Sequence, residues 1–467
     1  MKIKLQLSIE NDDGEIPIRE ELITVERDIL CLENLGLSLD EAKQLLADVQ
    51  EVMVKHQVED YVKQHRHCPH CHDVRSRKGH HQISMRTLFG KLSLTSPRFY
   101  RCGCESSRQR SFSPLAQCLT ERHSPELLYL ETKWASLMSY GLSVNVLQEV
   151  LPIAVSPTTV KRQVQRLAQR SEDELGEESC ALIEGTPMQW EQLPYPDMPL
   201  VVGLDGGYIH ARDGDNRKAG WFEAIVGKSL SQERADKRFG FVNKYDHKRR
   251  RRIFETLKAQ GFQMNQGVTF ISDGGDTVRD LQFYISPQSE HLLDWFHITM
   301  RITVMRQLAK GLPDNLPTDI FCDVDHKLER IKWFLWHGST FKAMQSLQTL
   351  ITDLEVLEDF LQTPATTKLL KLVREFEGYI SVNQSFIPNY GDRYRHEEII
   401  STAFVESTVN QVISKRFVKK QQMRWTDEGA HLLLQVRIQV LNEDWRDTFL
   451  RWYPNMPASN PNNDLVA

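Results

Sequence analysis

MPLVVGLDGGYIHAR, residues 198–212, is the stretch on which the reading of this chain turns. The apolar run Leu200–Leu204 predicts a strand, and it leads straight into Asp205 and two glycines. An acid at the end of an apolar strand is costly to bury without a partner. VTFISDGG, residues 268–275, repeats the pattern, with Asp273 before a glycine pair. Two carboxylates carried on strands of one sheet can lie side by side and converge on hard divalent cations, which take oxygen ligands.

The flanking sequence supplies the rest of a sheet. GWFEAIVGKSL (220–230) predicts a second strand after a hairpin turn at Asp213 to Asn216, and FGFVNKY (239–245) a third. RRIFETLKAQGF (251–262) predicts a helix, and HLLDWFHI (291–298) a fifth strand ending at Asp294. Residues 299–396 have helical periodicity, and the chain finishes with helices carrying AFVESTVNQVISKR (403–416) and EGAHLLLQVRIQVLN (428–442). This order predicts an RNase H-like mixed sheet flanked by helices, with a helical insertion. The core would take residues 199–298, the insertion 299–396, and the last helices of the core 397–453, before a polar tail at 454–467.

A third carboxylate is expected from a late helix. Glu406 is flanked by Phe404, Val405 and Val409, with Asn410 one turn on. Its rival is Glu428, which also fits the first turn of its own helix, where the macrodipole favours acids. Asp205, Asp273 and Glu406 together would bind two Mg²⁺ (or Mn²⁺) ions, one activating the attacking oxygen and one stabilising the leaving oxygen of a phosphoryl transfer. Asp294 is a further strand-end acid near such a site, and His297 beside it reads as a packed histidine.

Upstream, residues 1–60 read as an acidic helical segment. Ser38 and Glu41 form a capping-box pattern ahead of Leu39, Ala42, Leu45, Leu46, Val49 and Met53 at helical spacing. Residues 61–115 read as a zinc-ribbon-like module. Cys68 and Cys71 are paired with Cys102 and Cys104 across β-like sequence, and four thiolates suit a tetrahedral, structural Zn²⁺, with His70 or His72 able to replace one sulfur. The other four cysteines (Cys31, Cys118, Cys180, Cys322) are scattered, which argues against a disulfide framework.

Residues 124–170 read as a helix-turn-helix region. Ser156 and Pro157 open its second helix, which presents Thr158, Thr159, Lys161, Arg162, Gln163, Gln165 and Arg166 opposite an apolar stripe of Val160, Val164 and Leu167. A basic, glutamine-rich helix behind a short turn suits a major groove. Residues 171–198, with eight acids and no basic residue, read as an acidic linker. Two basic runs could hold phosphates: Lys248–Arg252, and Lys415, Arg416, Lys419, Lys420 and Arg424 behind the Glu406 helix. Trp425 beside the second run reads as core.

VVGLDGGYIHAR, FISDGGDTVRDL, LLDWFHITMRI and VNQVISKRFVKKQQMRWTDEGAHLLLQVR resemble the runs of the DDE-type transposases of the ISKra insertion-sequence family. The similarity covers most of the chain, the cysteine-rich module included. It implies the family's fold, metal dependence and DNA substrate, and carries its three acids onto Asp205, Asp273 and Glu406. Ile413 occupies the place, seven residues after the glutamate, where many DDE enzymes have a basic residue.

With 467 residues the chain exceeds one hydrophobic core, and its composition is that of a globular protein. The net charge of -5 conceals segregation: residues 62–110 hold eleven Lys/Arg against two acids, whereas residues 1–50 hold five against twelve. Local charge is what a polyanion meets. The expected partner is double-stranded DNA, bound by a homo-oligomer in the cytoplasm with no membrane segment. A DNA-binding regulator that has lost its chemistry, or a structure-specific nuclease, are the competing readings. Terminal inverted repeats flanking the gene would favour transposition over both.

Overall fold

The computed structural model describes residues 1–9, 18–27, 29–105, 109–178, 182, 184–212, 220–275, 285, 289–312, 318–418 and 423–457. The protein is a mixed α/β structure of two compact units. One comprises Met1–Leu167 with Glu443–Ala467, the other Ala168–Asn442.

The first unit opens with an antiparallel hairpin, β1 (Lys2–Ile9) and β2 (Ile18–Glu26). The expectation of an acidic helical start is therefore corrected. The alternation KIKLQLSI has the two-residue period of a strand. Helix α1 (Leu39–His65) follows, with the expected capping box: the Ser38 hydroxyl accepts from Glu41 N–H, and the Glu41 carboxylate accepts from Ser38 N–H. Its packing face differs from the expected stripe. Val54, Val58 and Tyr61 meet Ile83, Leu92, Leu94 and Leu115, whereas Leu39, Leu46 and Met53 are exposed. The strands β3 (Arg77–Thr87), β4 (Gly90–Tyr100) and β5 (Ser111–Phe112) form a second antiparallel sheet. Four helices come next: α2 (Pro114–Cys118), α3 (Pro125–Leu137), α4 (Tyr140–Val150) and α5 (Pro157–Glu174), the unit boundary falling inside α5.

In the second unit the short α6 (Pro187–Trp190) precedes five strands: β6 (Leu200–His210), β7 (Trp221–Leu230), β8 (Lys237–Val242), β9 (Val268–Ser272) and β10 (Ser289–Leu293). The turn expected at Asp213 to Asn216 lies outside the described residues. The sheet order is β10-β9-β6-β7-β8, with β7 antiparallel to its neighbours and the other pairs parallel. One face carries Leu200, Val202 and Leu204 into a core with Phe239, Phe241 and Ile253, Phe254 and Leu257 of α7 (Arg249–Ala259). By strand alternation Gly203, Asp205 and Gly207 point to the other face.

The helical insertion, expected at 299–396, begins earlier, because the run HLLDWFHI expected as a strand leaves the sheet at Leu293 and continues as helix from Trp295. Its helices are α8 (Trp295–Ala309), α9 (Thr318–Trp336), α10 (Thr340–Leu361), α11 (Pro364–Asn383) and α12 (Tyr390–Arg395), gathered around their own apolar core. The chain returns with α13 (Ala403–Val409), a π-helical segment (Asn410–Val418) and α14 (Asp427–Leu441), which is buried on every side from Gly429 to Ile438. The last helix, α15 (Trp445–Trp452), was expected with the core but belongs to the first unit. There Trp445 Nε1 donates to Thr132 Oγ1 at 3.0 Å, and Arg446 holds Glu126 with two bonds of 2.8 Å.

Helix α13 lies almost on the backbone of β6. A Cβ at Gly203 would come within 2.2 Å of Val405 Cγ2 and 2.6 Å of Phe404 Cζ, and one at Gly207 within 2.7 Å of Ile413 Cδ1. The apolar Ile413 is thus required for contact with the strand.

The run Lys248–Arg252 is not a phosphate-binding patch. Arg252 is buried and bonded to Glu172 at 2.7 and 2.9 Å and to Asp246 at 2.8 Å. Arg251 pairs with Glu255 at 2.6 Å, Arg250 lies 4.0 Å from Glu178, and Lys248 lies 3.9 Å from Glu177. The acids from Glu172 at the end of α5 to Glu178 therefore serve as counter-charge to α7. Glu172, Asp246 and His431 converge closely enough to hold a cation, but the Arg252 guanidinium already supplies it.

Gly203→Ala should cost about 1–3 kcal/mol in chemical denaturation through overpacking. Gly141→Ala, in open space on α4, should be neutral or slightly stabilising. The buried ion group makes a pH prediction. Burial alone would raise the Glu172 pKa, but hydrogen bonds and charge from His431 and Arg252 hold it at about 2, below the ordinary 4.5. A carboxylate lowered in this way adds stability that is complete above its unfolded pKa and lost as pH falls toward the folded value. Unfolding free energy should decline between about pH 4.5 and 2, and Glu172→Gln should be less stable at neutral pH with a shallower acid decline.

Candidate functional site

The parallel register builds the acidic site. Strands β6 and β9 pair from Leu200↔Val268 to Gly203↔Ile271, and two residues further along each strand come Asp205 and Asp273. Strands β9 and β10 pair up to Ser272↔Leu293, so the next residues are Asp273 and Asp294. Three aspartates thus stand in one row on adjacent strands about 4.8 Å apart. The row lies at the carboxyl ends of β9 and β10, the edge where open α/β sheets bind ligands.

The three have different surroundings. Asp273 is exposed, and its Oδ1 accepts Gly275 N–H at 3.2 Å. Asp205 is half-buried, with Oδ1 accepting Gly206 N–H at 2.8 Å. Burial raises the Asp205 pKa, the carboxylates of Asp273 and Asp294 raise it further, and the Gly206 N–H and His297 oppose them. A divalent cation would relieve the repulsion that Asp273 and Asp294 exert on Asp205, but Asp205, Asp273 and Glu406 do not form one of the groups of described residues whose ligand atoms lie within 4.8 Å of one another.

Asp294 is fully buried and committed to structure. It caps α8 through Phe296 N–H at 2.9 Å, and it accepts both the Thr402 N–H at 3.1 Å and the Thr402 hydroxyl. Thr402 is the N-cap of α13, so the end of β10 fixes the start of the helix that carries Glu406. His297 Nε2 lies 3.6 Å from Asp294 Oδ2 and remains partly exposed. It thus lies beside the buried member of the row, beyond the packing expected of it.

Glu406 is exposed on α13, on the turns between the contacts with Gly203 and Gly207 that bracket Asp205. Glu428 starts elsewhere. Trp425 N–H donates to His210 O at 2.9 Å and Arg212 N–H to Trp425 O at 2.8 Å, which fixes the start of α14 at the far end of β6. Ala211, the strand partner of Trp425, is six residues beyond Asp205, about 20 Å at strand rise. The Glu428 charge acts instead on Tyr245.

The turn after β9 depends on Gly274, whose φ of +87° is unfavourable for other residues and whose Cβ would lie 2.5 Å from Asn383 Oδ1 and 2.8 Å from Leu293 Cδ1. Ser272 Oγ accepts Gly274 N–H at 3.3 Å and lies 2.9 Å from His291 Nε2. Thr402 and Gly274 carry no chemistry visible in sequence. The one available signal was the placement of Thr402 just before an apolar helix.

The second basic run needs correction. Arg416 is fully buried, with its guanidinium 5.2 Å from the Trp425 ring, so it does not face a ligand. Lys415 and Arg424 are exposed, Lys419 and Lys420 lie outside the described residues, and Trp425 is buried as expected. The π-helical turns are held by Arg437, which donates to Val412 O at 2.9 Å and Gln411 O at 2.6 Å.

The four cysteines of the first unit do converge. Sγ of Cys68 lies 3.3 Å from that of Cys104, and Sγ of Cys71 lies 3.3 Å from Cys102 and 3.7 Å from Cys104. A tetrahedron with Zn–S of 2.3 Å has edges of about 3.8 Å, so the cluster can hold an ion such as zinc. Neither His70 nor His72 belongs to it. The backbone N–H groups of Cys71 and His70 stabilise the Cys68 thiolate and lower its pKa to about 6. Glu105, bonded to Arg75 and to Arg101 at 2.9 Å, braces the cluster from behind.

On α5, Val160, Val164 and Leu167 are buried, whereas Thr158, Lys161, Arg162 and Arg166 are exposed and Thr159 and Gln165 half-exposed. Gln163, expected on the polar surface, is buried and accepts from Arg166 Nε at 3.0 Å. Arg166 also pairs with Glu121 at 2.9 Å. No described helix is long and apolar enough to cross a membrane.

Elemental analysis of the purified chain should find zinc, and Cys68→Ser should lose it together with thermal stability. Retention of zinc by that variant would refute the four-sulfur site. No protein-family model and no curated protein matches this chain.

Proposed function

We propose that this chain is a DDE-type transposase resembling the ISKra family, which cleaves and joins DNA at Asp205, Asp273 and Glu406. The observation that carries the reading is that Asp205 and Asp273 each follow, by two residues, the Gly203↔Ile271 pair of the parallel β6–β9 register, with the helix that carries Glu406 packed on Gly203. The sheet supports it too, because five strands with only the second in sequence antiparallel is the pattern of an RNase H-like core. Hard divalent ions held by Asp205, Asp273 and Glu406 would supply the activated attacking oxygen and charge stabilisation at the leaving oxygen.

The chain's own groups perform the remaining tasks. Asp294 holds α13 in place through Thr402 and leaves Asp205 and Asp273 their free oxygens. Helices α4 and α5 suit a helix-turn-helix, with Thr158, Thr159, Lys161, Arg162, Gln165 and Arg166 toward DNA. Lys415 and Arg424 add positive charge near the catalytic helices. The Cys68, Cys71, Cys102 and Cys104 cluster takes a structural zinc that orders a module too small to fold without it.

With Mg²⁺ and DNA bearing the element's terminal repeats, Asp205→Asn, Asp273→Asn and Glu406→Gln should each reduce strand cleavage to background, whereas Glu428→Gln should cut nearly as wild type. Undiminished cleavage by Asp205→Asn or Asp273→Asn would overturn the proposal. Repeat binding without cleavage in the wild type would favour a DNA-binding regulator.

A further inference from the structure

The insertion presents polar groups to the acidic row. Helices α8 and α11 pack together, and Arg301 on α8 is exposed with its guanidinium 4.3 Å from the Tyr379 ring centroid. Among the described residues no carboxylate bonds Arg301. The Tyr379 hydroxyl is shielded from solvent and has no hydrogen-bond partner there. One turn on, Asn383 is more than nine-tenths buried, and its Oδ1 also lacks a partner. That oxygen abuts Gly274, so the last turn of α11 lies against the turn that carries Asp273. Burial raises the Tyr379 pKa, Arg301 opposes the rise, and Asp273 and Asp294 add to it.

A buried hydroxyl with no hydrogen-bond partner is costly in a finished site, and the exposed arginine stacked on its ring leaves a charge open to a ligand. Both are donors, the helix that carries Tyr379 meets the turn of Asp273 where Asn383 abuts Gly274, and neither donor can bond a cation directly. Their natural complement is an anion with several oxygens, drawn to the same place by divalent ions on Asp205 and Asp273. A planar guanidinium stacked on a ring is preorganised to grip a phosphate oxygen.

We infer that Arg301 and Tyr379 form a clamp for the non-bridging oxygens of a nucleic-acid phosphodiester at the acidic site, with Asn383 and Gly274 setting its position. The inference rests on the phosphoryl-transfer reading and gives the insertion a direct part in substrate binding. Arg301 supplies the charge, and Tyr379 supplies a neutral donor and the surface that holds the arginine flat.

The test uses the full-length chain and a short DNA duplex, with binding measured by fluorescence anisotropy across a salt series in Ca²⁺ and again in EDTA. In Ca²⁺, Arg301→Gln should weaken binding about tenfold and reduce the slope of log K against log salt by about 1, the loss of one phosphate contact. Tyr379→Phe should weaken binding in Ca²⁺ without changing the slope, since no charge is removed. In EDTA both should bind as wild type. Mn²⁺ binding without DNA should be retained by Arg301→Gln and weakened by Asp205→Asn, which separates the clamp from the metal site. Unchanged affinity and slope for Arg301→Gln in Ca²⁺, or an equal loss with and without the ion, would overturn the clamp. Failure of the underlying reading would show separately, as undiminished cleavage by Asp205→Asn.

Discussion

Asp205, Asp273 and Asp294 are set side by side by backbone hydrogen bonding alone, because the parallel pairing of β6, β9 and β10 carries one residue of each strand to the same level. The row concentrates negative charge where Asp205 and Asp294 are largely withdrawn from water, and left unrelieved it would weigh against the sheet. The relief is divided. Asp294 is neutralised in effect by donors from Phe296 and Thr402, and this fastens two helices to the sheet edge. Among the described residues Asp205 and Asp273 receive one backbone N–H each and keep open oxygens. The proposed chemistry falls on the two acids that the fold does not consume.

The same comparison separates the other charged clusters. Glu172, Asp246 and His431 surround Arg252, a cation built into the chain, so that group stabilises and binds nothing further. The four sulfurs of Cys68, Cys71, Cys102 and Cys104 have no such built-in counter-ion at their centre. Proximity of acidic or thiol ligands is thus a weak criterion alone. What decides is whether the side chains already present complete the coordination.

Much of the second unit was legible in sequence, since four strands and the helical insertion carry clean periodicity and Asp205 and Asp273 close apolar runs, whereas the fifth strand was drawn four residues into the helix that follows it. The capping box of α1, the apolar stripe of α5 and the cysteine quartet were legible because each rests on local chemistry. Tertiary facts were harder to see. The face of α1 is chosen by the β3–β4 sheet, which takes Val54, Val58 and Tyr61 in preference to the leucines before them. Lys248–Arg252 looks like a phosphate site until the acids some 75 residues upstream are folded against it. Arg416 was misread because a run of basic residues was taken as one exposed patch, whereas the π-helical segment turns this guanidinium into the interior against Trp425. The proposal of Glu406 in preference to Glu428 rests on where each helix meets β6.

Gly203 and Gly207 have a mechanical consequence. A helix that rests on side chains can shift as those side chains repack, and its distance from the sheet has some play. Helix α13 rests on bare strand backbone at both points, so repacking of strand side chains offers no slack there. Its height above Asp205 is set by the twist of β6 itself. Any ligand or partner that alters the twist of this sheet therefore changes the reach of Glu406 directly, with no soft layer between to absorb the movement.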